Sequence, residues 1–192
     1  MTFRPRSLTE LAGIFKHLDG YTPESELAIQ NRLRVFQRDG HIVPEIEGGA
    51  GYANSSKYGL KEIFKARLLL PLRDRNVPFD VAAAAFNRLV DAKHDLPAID
   101  GCYPPMGLDA LIFDIEHSDW IADFIVIEDG NIGSVKIAGE IRRREIRETT
   151  FNNRDYREQR RSAGLVTSGV WVDATNLLRP LLQYLNETND KP

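Results

Sequence analysis

Between Ser7 and Tyr52 the chain carries two short amphipathic helical patterns and then two extended arms around a glycine-rich turn, and this order constrains the fold more than any other feature. Ser7-Leu8-Thr9-Glu10 is a capping box, in which the Ser7 and Glu10 side chains satisfy two orphan amide donors at a helix start. Leu8, Leu11, Phe15 and Leu18 recur at helical spacing and form one apolar face, and Asp19-Gly20-Tyr21 ends that helix. Thr22 is the N-cap expected for a second helix, with Pro23 at its first position, where a missing N–H costs nothing. Ile29, Leu33 and Phe36 make its buried stripe, and Gly40 stops it in a left-handed cap. His41 to Ile46 is extended, with Pro44 marking an edge strand. The turn Glu47-Gly48-Gly49-Ala50-Gly51 and a second arm from Tyr52 complete a β-hairpin pattern. A third helix is expected from Leu60 to Asp74, with Leu60, Ile63, Phe64 and Leu68 inward and a kink at Pro71. A fourth starts at Val77-Pro78-Phe79 and continues the stripe through Ala82, Ala83, Phe86 and Leu89.

The pattern then changes. Asp95 to Gly107 holds Pro97, Pro104, Pro105 and Gly101 and reads as a linker. Short apolar runs follow at Leu111-Ile112-Phe113 and from Trp120 to Ile127. Glu128-Asp129-Gly130-Asn131 is a turn signal and Ser134 to Ala138 a return strand, so a hairpin is expected. Arg142 to Arg161 is a polar, arginine-rich stretch, Leu165 to Val172 a strand, and Leu177 to Leu185 an amphipathic helix with Pro180 in its first turn. The chain of 192 residues therefore divides into residues 1–94, a linker over 95–107, and residues 108–192. The expected fold is a mainly α, winged helix-turn-helix N-terminal domain joined to a small α/β (α+β) C-terminal domain.

Net charge is −3, which taken whole disfavours nucleic acid, but the charge is uneven. Residues 1–94 carry 14 Lys/Arg against 11 Asp/Glu, and residues 95–192 carry 11 against 17. A basic first part joined to an acidic second part is what a DNA-reading module with a partner module shows. The single cysteine, Cys102, excludes an internal disulfide and a cysteine-based zinc cluster, and fits a reducing cytoplasm. No apolar run reaches the ~20 residues that span a bilayer, and the opening MTFRPRSLTEL lacks the apolar region of a signal peptide. No membrane partner and no cofactor are expected.

The face of the second helix opposite Ile29, Leu33 and Phe36 holds Gln30, Asn31, Arg34, Gln37 and Arg38. Asn and Gln bind adenine bidentately and Arg binds guanine, so these residue types suit a major-groove reader. A solvated polar face has the same composition. The order helix, turn, helix, glycine-tipped hairpin and two further helices belongs to winged helix modules and favours the first reading.

Leu33-Arg34-Val35-Phe36-Gln37-Arg38-Asp39-Gly40-His41-Ile42 resembles the MerR-family stretch of Leu-Arg, two aromatics, Glu-Arg, any residue, Gly and two aliphatics. Pro44 falls where that family has a proline, and Gly51-Tyr52 resembles its wing motif. Gly59-Leu60 and Leu72-Arg73-Asp74-Arg75-Asn76-Val77-Pro78-Phe79 resemble its later helix start and turn. The resemblance covers about the first 90 residues. This chain departs from it in a longer connection between Leu18 and Ala28, in Glu45 and Glu47 on the wing, and in Asn76 where glycine is common. The resemblance implies a dimeric, double-stranded-DNA-binding transcription regulator, with Arg34 and Tyr52 against the DNA backbone. Arg6, Lys57 and Lys61 are further candidates for phosphate contact. Regulators of this kind dimerise through a long helix after the winged domain and sense an effector beyond it. The linker prolines interrupt that helix here, and residues 108–192 read as a dimerisation platform or a ligand-sensing domain. A homodimer through the C-terminal half is expected, because one module this small rarely reaches high specificity without a second half-site. A small-molecule or protein effector stays open.

Other readings are weaker. His94, Asp114, Glu116, His117 and Asp119 would place oxygen and nitrogen donors together, with Asp114 and Glu116 on one face if their segment is a strand, but their spacing matches no metal motif. A metal-dependent nuclease would recruit Asp114, Glu116 and Glu128, without any supporting nucleophile or phosphate-loop signature. No enzyme and no metal site is expected. Excisionase or phage-type architectural DNA binding uses the same module. The arginines of 142–161 alternate with acids and read as a solvated face, with a second DNA contact as the alternative. Trp120 and Trp171 read as core.

Overall fold

A computed structural model describes residues 3–19, 26–49, 55–73, 83, 107–129, 134–144 and 165–189. It is a mixed α/β structure, mostly helical, with small antiparallel sheets. The elements are β1 (Arg6–Ser7), α1 (Leu8–Leu18), α2 (Glu26–Arg38), β2 (Lys57–Tyr58), α3 (Leu60–Arg73), α4 (Gly107–Asp114), β3 (Trp120–Asp129), β4 (Ser134–Arg143), β5 (Leu165–Asp173) and α5 (Ala174–Thr188). Two compact units result: Met1–Leu70 with Asn176–Pro192, and Pro71–Thr175. Most of the last helix groups with the N-terminal unit, and residues 95–106 of the expected linker lie outside the described residues.

In the first unit the Ser7 capping box forms as expected. The Ser7 hydroxyl accepts the Glu10 amide at 3.3 Å and the Glu10 carboxylate accepts the Ser7 amide at 2.8 Å. Burial raises the Glu10 pKa, but the Ser7 hydrogen bonds and the Arg4 and Arg6 charges outweigh it and hold the group below its ordinary value. Leu11, Ala12, Ile14 and Phe15 of α1 pack with Ile29, Leu33 and Phe36 of α2 as the core. β1 pairs antiparallel with β2, Arg6 opposite Tyr58 and Ser7 opposite Lys57. Among the described residues the arm ending at Ile46 joins Lys57 through one antiparallel bridge, and Lys57 and Tyr58 of the second arm pair with the strand ahead of α1.

α3 is buried almost all round, with Ile63, Phe64, Ala66, Leu68, Leu69 and Leu72 inside, and it runs through Pro71 to Arg73. Lys65 and Arg67 are buried with them. Arg67 donates to the Asp19 carboxylate through both Nη atoms, one at 2.9 Å, and its guanidinium lies 5.2 Å from the Phe15 ring centre. α5 begins at Ala174, three residues before the expected start, so Pro180 lies in its second turn. Leu178, Leu181, Leu182 and Leu185 are its buried face.

The second unit holds a three-stranded antiparallel sheet of order β4-β3-β5. The β3–β4 hairpin is long, with Trp120 opposite Arg143 and Asp129 opposite Ser134, so Arg142 and Arg143 lie in a strand. α4 places Leu111 inside and ends at Asp114, with Glu116 in the following turn, so the strand that would align those two acids is not formed. Among the described residues no helix is long and apolar enough to cross a membrane. The expected start of the second helix at Thr22, the wing turn around Ala50, the linker, and the arginines from Arg147 to Arg161 lie outside the described residues. So does the fourth helix, apart from buried Ala83.

Candidate nucleic-acid interface

Helical geometry advances side chains about 100° per residue. On α2 this puts Leu27, Asn31, Arg34 and Arg38 within a sector of roughly 60°, nearly opposite Ile29, Leu33 and Phe36. All four are exposed, and the three opposite are buried. Because the core stripe is pinned against α1, the polar stripe must face outward. The Gln30 amide donates to the Thr9 hydroxyl of α1, which fixes the helix about its own axis.

The C-terminal end of α2 is equally determined. Gly40 has φ 74°, a left-handed conformation that suits glycine. The His41 amide donates to the Phe36 carbonyl at 2.8 Å and the Gly40 amide to the Gln37 carbonyl at 3.1 Å, the pairing of a Schellman cap. That cap turns the chain inward so that His41 and Ile42 are buried. The Glu62 carboxylate of α3 then accepts the Val43 amide at 2.8 Å and fixes the arm that leads to Ile46.

The side chains of the stripe are partly engaged with one another. Arg34 Nη1 donates to Asn31 Oδ1 at 3.2 Å. Arg38 forms a two-pronged ion pair with Asp39, at 2.7 and 3.2 Å, and the hydrogen bond and charge of Asp39 raise its pKa. An arriving phosphate or guanine would exchange with Asp39 for Arg38. Gln30 and Gln37 flank the stripe and are half-buried.

The other expected contacts are distributed differently. Lys57 and Lys61 are half-exposed, on β2 and at the start of α3. Arg6 is buried, and this departs from the expected phosphate contact. Its Nη2 donates to the Thr188 carbonyl at 3.0 Å and the Thr188 hydroxyl at 3.1 Å, and Nη1 lies 3.6 Å from Glu10. The reason is long-range: the end of α5 leaves carbonyls without helical partners, and a cation there also suits the helix dipole. Tyr52 lies outside the described residues. Of the acidic wing residues, Glu45 packs over Gly59, where a side chain would collide with its carboxylate, and Glu47 is exposed.

Of the candidate metal donors, His94 lies outside the described residues and Asp114 is engaged with neighbouring side chains. Asp114 accepts from Trp120 Nε1 at 3.1 Å and from Arg143 Nε at 2.8 Å. Burial raises its pKa, but hydrogen bonds from Ser118, Arg143 and Trp120 and the Arg143 charge give a net lowering. Arg144 pairs with Asp173. Arg142 is fully buried and Trp120 is core, while Trp171 is half-exposed. Among the described residues no group of three His, Cys, Asp or Glu could hold a metal ion. Leu27 joins the outward stripe without a polar signature; its position off the Ile29-Leu33-Phe36 stripe is the signal that marks it as outward. No protein-family model matches the chain, and no curated protein matches it.

Proposed function

We propose that this chain is a DNA-binding transcription regulator, whose MerR-like winged helix-turn-helix module lays α2 in the major groove. The observation that carries the reading is the exposed stripe of Asn31, Arg34 and Arg38, held opposite the core by the packing of α1 and α2. A helix of 13 residues is about 20 Å long and about 10–12 Å across, a fit to a groove about 12 Å wide. In this reading Asn31 reads a base, Arg34 and Lys57 meet phosphates, and Arg38 releases Asp39 on binding. Arg6 is removed from the interface and ties β1 to α5 instead.

A single small module rarely reaches high specificity without a second half-site, so the reading includes a homodimer. Its surface is assigned to the second unit, where Phe113 is 90% exposed and Trp171 49% exposed. Selection of bound sequences from random duplex DNA tests both parts. A palindromic product supports the dimer, and a single ungapped motif assigns recognition to one module. Failure to enrich any sequence contradicts specific recognition.

A further inference from the structure

Leu27 stands in the same sector of α2 as Asn31, one turn nearer the helix N-terminus, and is 61% exposed. It lies off the Ile29-Leu33-Phe36 core stripe, so the packing of α1 on α2 among the described residues leaves this large apolar side chain facing outward. The polar members of the stripe supply hydrogen bonding and positive charge, and Leu27 supplies the one other chemistry that the major groove presents. That chemistry is the C5-methyl group of thymine, which apolar side chains recognise by contact. N-terminal residues of a recognition helix are also those that reach base edges.

We infer that Leu27 is a specificity-determining residue that packs on a thymine methyl, and this rests on the reading of α2 as the recognition helix. Its distance from Asn31 follows from geometry. Four residues of helix rise about 6 Å, and base pairs stack every ~3.4 Å. The thymine contacted by Leu27 therefore lies one to two base pairs from the base read by Asn31. Desolvating a single methyl group sets the size of the effect at roughly threefold to fivefold in affinity.

The test uses the full chain and a duplex chosen by selection from random DNA. Each thymine is replaced in turn by deoxyuridine, which removes the methyl and leaves every hydrogen-bonding group. The wild type should lose about threefold to fivefold in affinity at one thymine, within two base pairs of the position sensitive to Asn31→Ala. Leu27→Ala should bind thymine and uracil duplexes equally. Tight binding of every uracil duplex by the wild type overturns the inference while leaving DNA binding intact. So does a uracil penalty that persists in Leu27→Ala. Absence of binding to any duplex overturns the recognition-helix reading itself. The uracil series on the wild-type chain needs no variant to fold, and far-ultraviolet circular dichroism checks Leu27→Ala.

Discussion

Removal of the Asp19 carboxylate probes how α1 is fastened to α3. Arg67 is buried, its side chain 6% exposed, and it holds Asp19 with both Nη atoms while its flat face covers Phe15. A guanidinium cannot shed its proton to escape burial. Among the described residues, Asp19→Ala thus leaves a buried charge with the Phe15 ring beside it and no carboxylate partner. Breaking a fully buried pair costs ~3–5 kcal/mol. Asp19 is 26% exposed, so water replaces part of the lost interaction. An acid at the C-terminal end of α1 also opposes the helix dipole by ~0.3–1 kcal/mol, which its removal relieves. The net expectation is a loss of about 2 kcal/mol. Arg67→Met should cost less, because a well-packed apolar replacement of a buried ion leaves no orphaned charge. Urea titrations of the wild type, both single variants and the double variant give the coupling directly. The double variant should be more stable than Asp19→Ala alone. Equal losses for Asp19→Ala in the wild-type and Arg67→Met backgrounds would refute the reasoning.

Three further expectations come from single groups. The Tyr58 side chain is fully buried, its hydroxyl has no hydrogen-bond partner among the described residues, and burial with the nearby Glu62 charge pushes its pKa up to about 12. Tyr58→Phe should therefore be neutral or stabilising by up to about 1 kcal/mol, and a clear loss in urea would contradict that. Glu10 has a lowered pKa, so its charge stabilises the fold above the unfolded-state value, and the benefit disappears as pH falls through the lower folded value. The stability difference between wild type and Glu10→Gln, which keeps the capping oxygen, should shrink below about pH 4.3; a constant difference from pH 7 to 3 contradicts the assignment. Asp39→Asn should tighten DNA binding by up to about fivefold, since Arg38 no longer exchanges an exposed ion pair; weaker binding would count against Arg38 as a DNA contact.

Local signals were legible in the sequence and distant ones were not. The Ser7 box, the Ile29-Leu33-Phe36 stripe and the Gly40 cap each depend on residues within a few positions, and all three form. The turn residues reveal the β3–β4 hairpin, but Arg142 and Arg143 have the composition of a solvated face, so the sequence pattern ends β4 short of its true end. Arg143 instead meets Asp114, 29 residues away. Arg6 read as a phosphate contact for the same reason; its partner Thr188 lies 182 residues away. The helix Gly107–Asp114 was hidden by the prolines ahead of it and by too few periodic positions. Within the candidate interface, helical periodicity places Asn31, Arg34 and Arg38 on one face, and the packing of α1 on α2 turns that face outward.

The most direct test of the central claim is the salt dependence of binding by the full chain to a selected duplex. The logarithm of affinity should fall linearly with the logarithm of salt concentration, and Arg34→Ala should reduce that slope by about 0.9 while weakening all sequences alike. Asn31→Ala should keep the slope and lose preference at one base pair. Wild-type slope and affinity in both variants, or no retention of duplex DNA at low salt, would contradict the assignment of α2 as the DNA-reading helix.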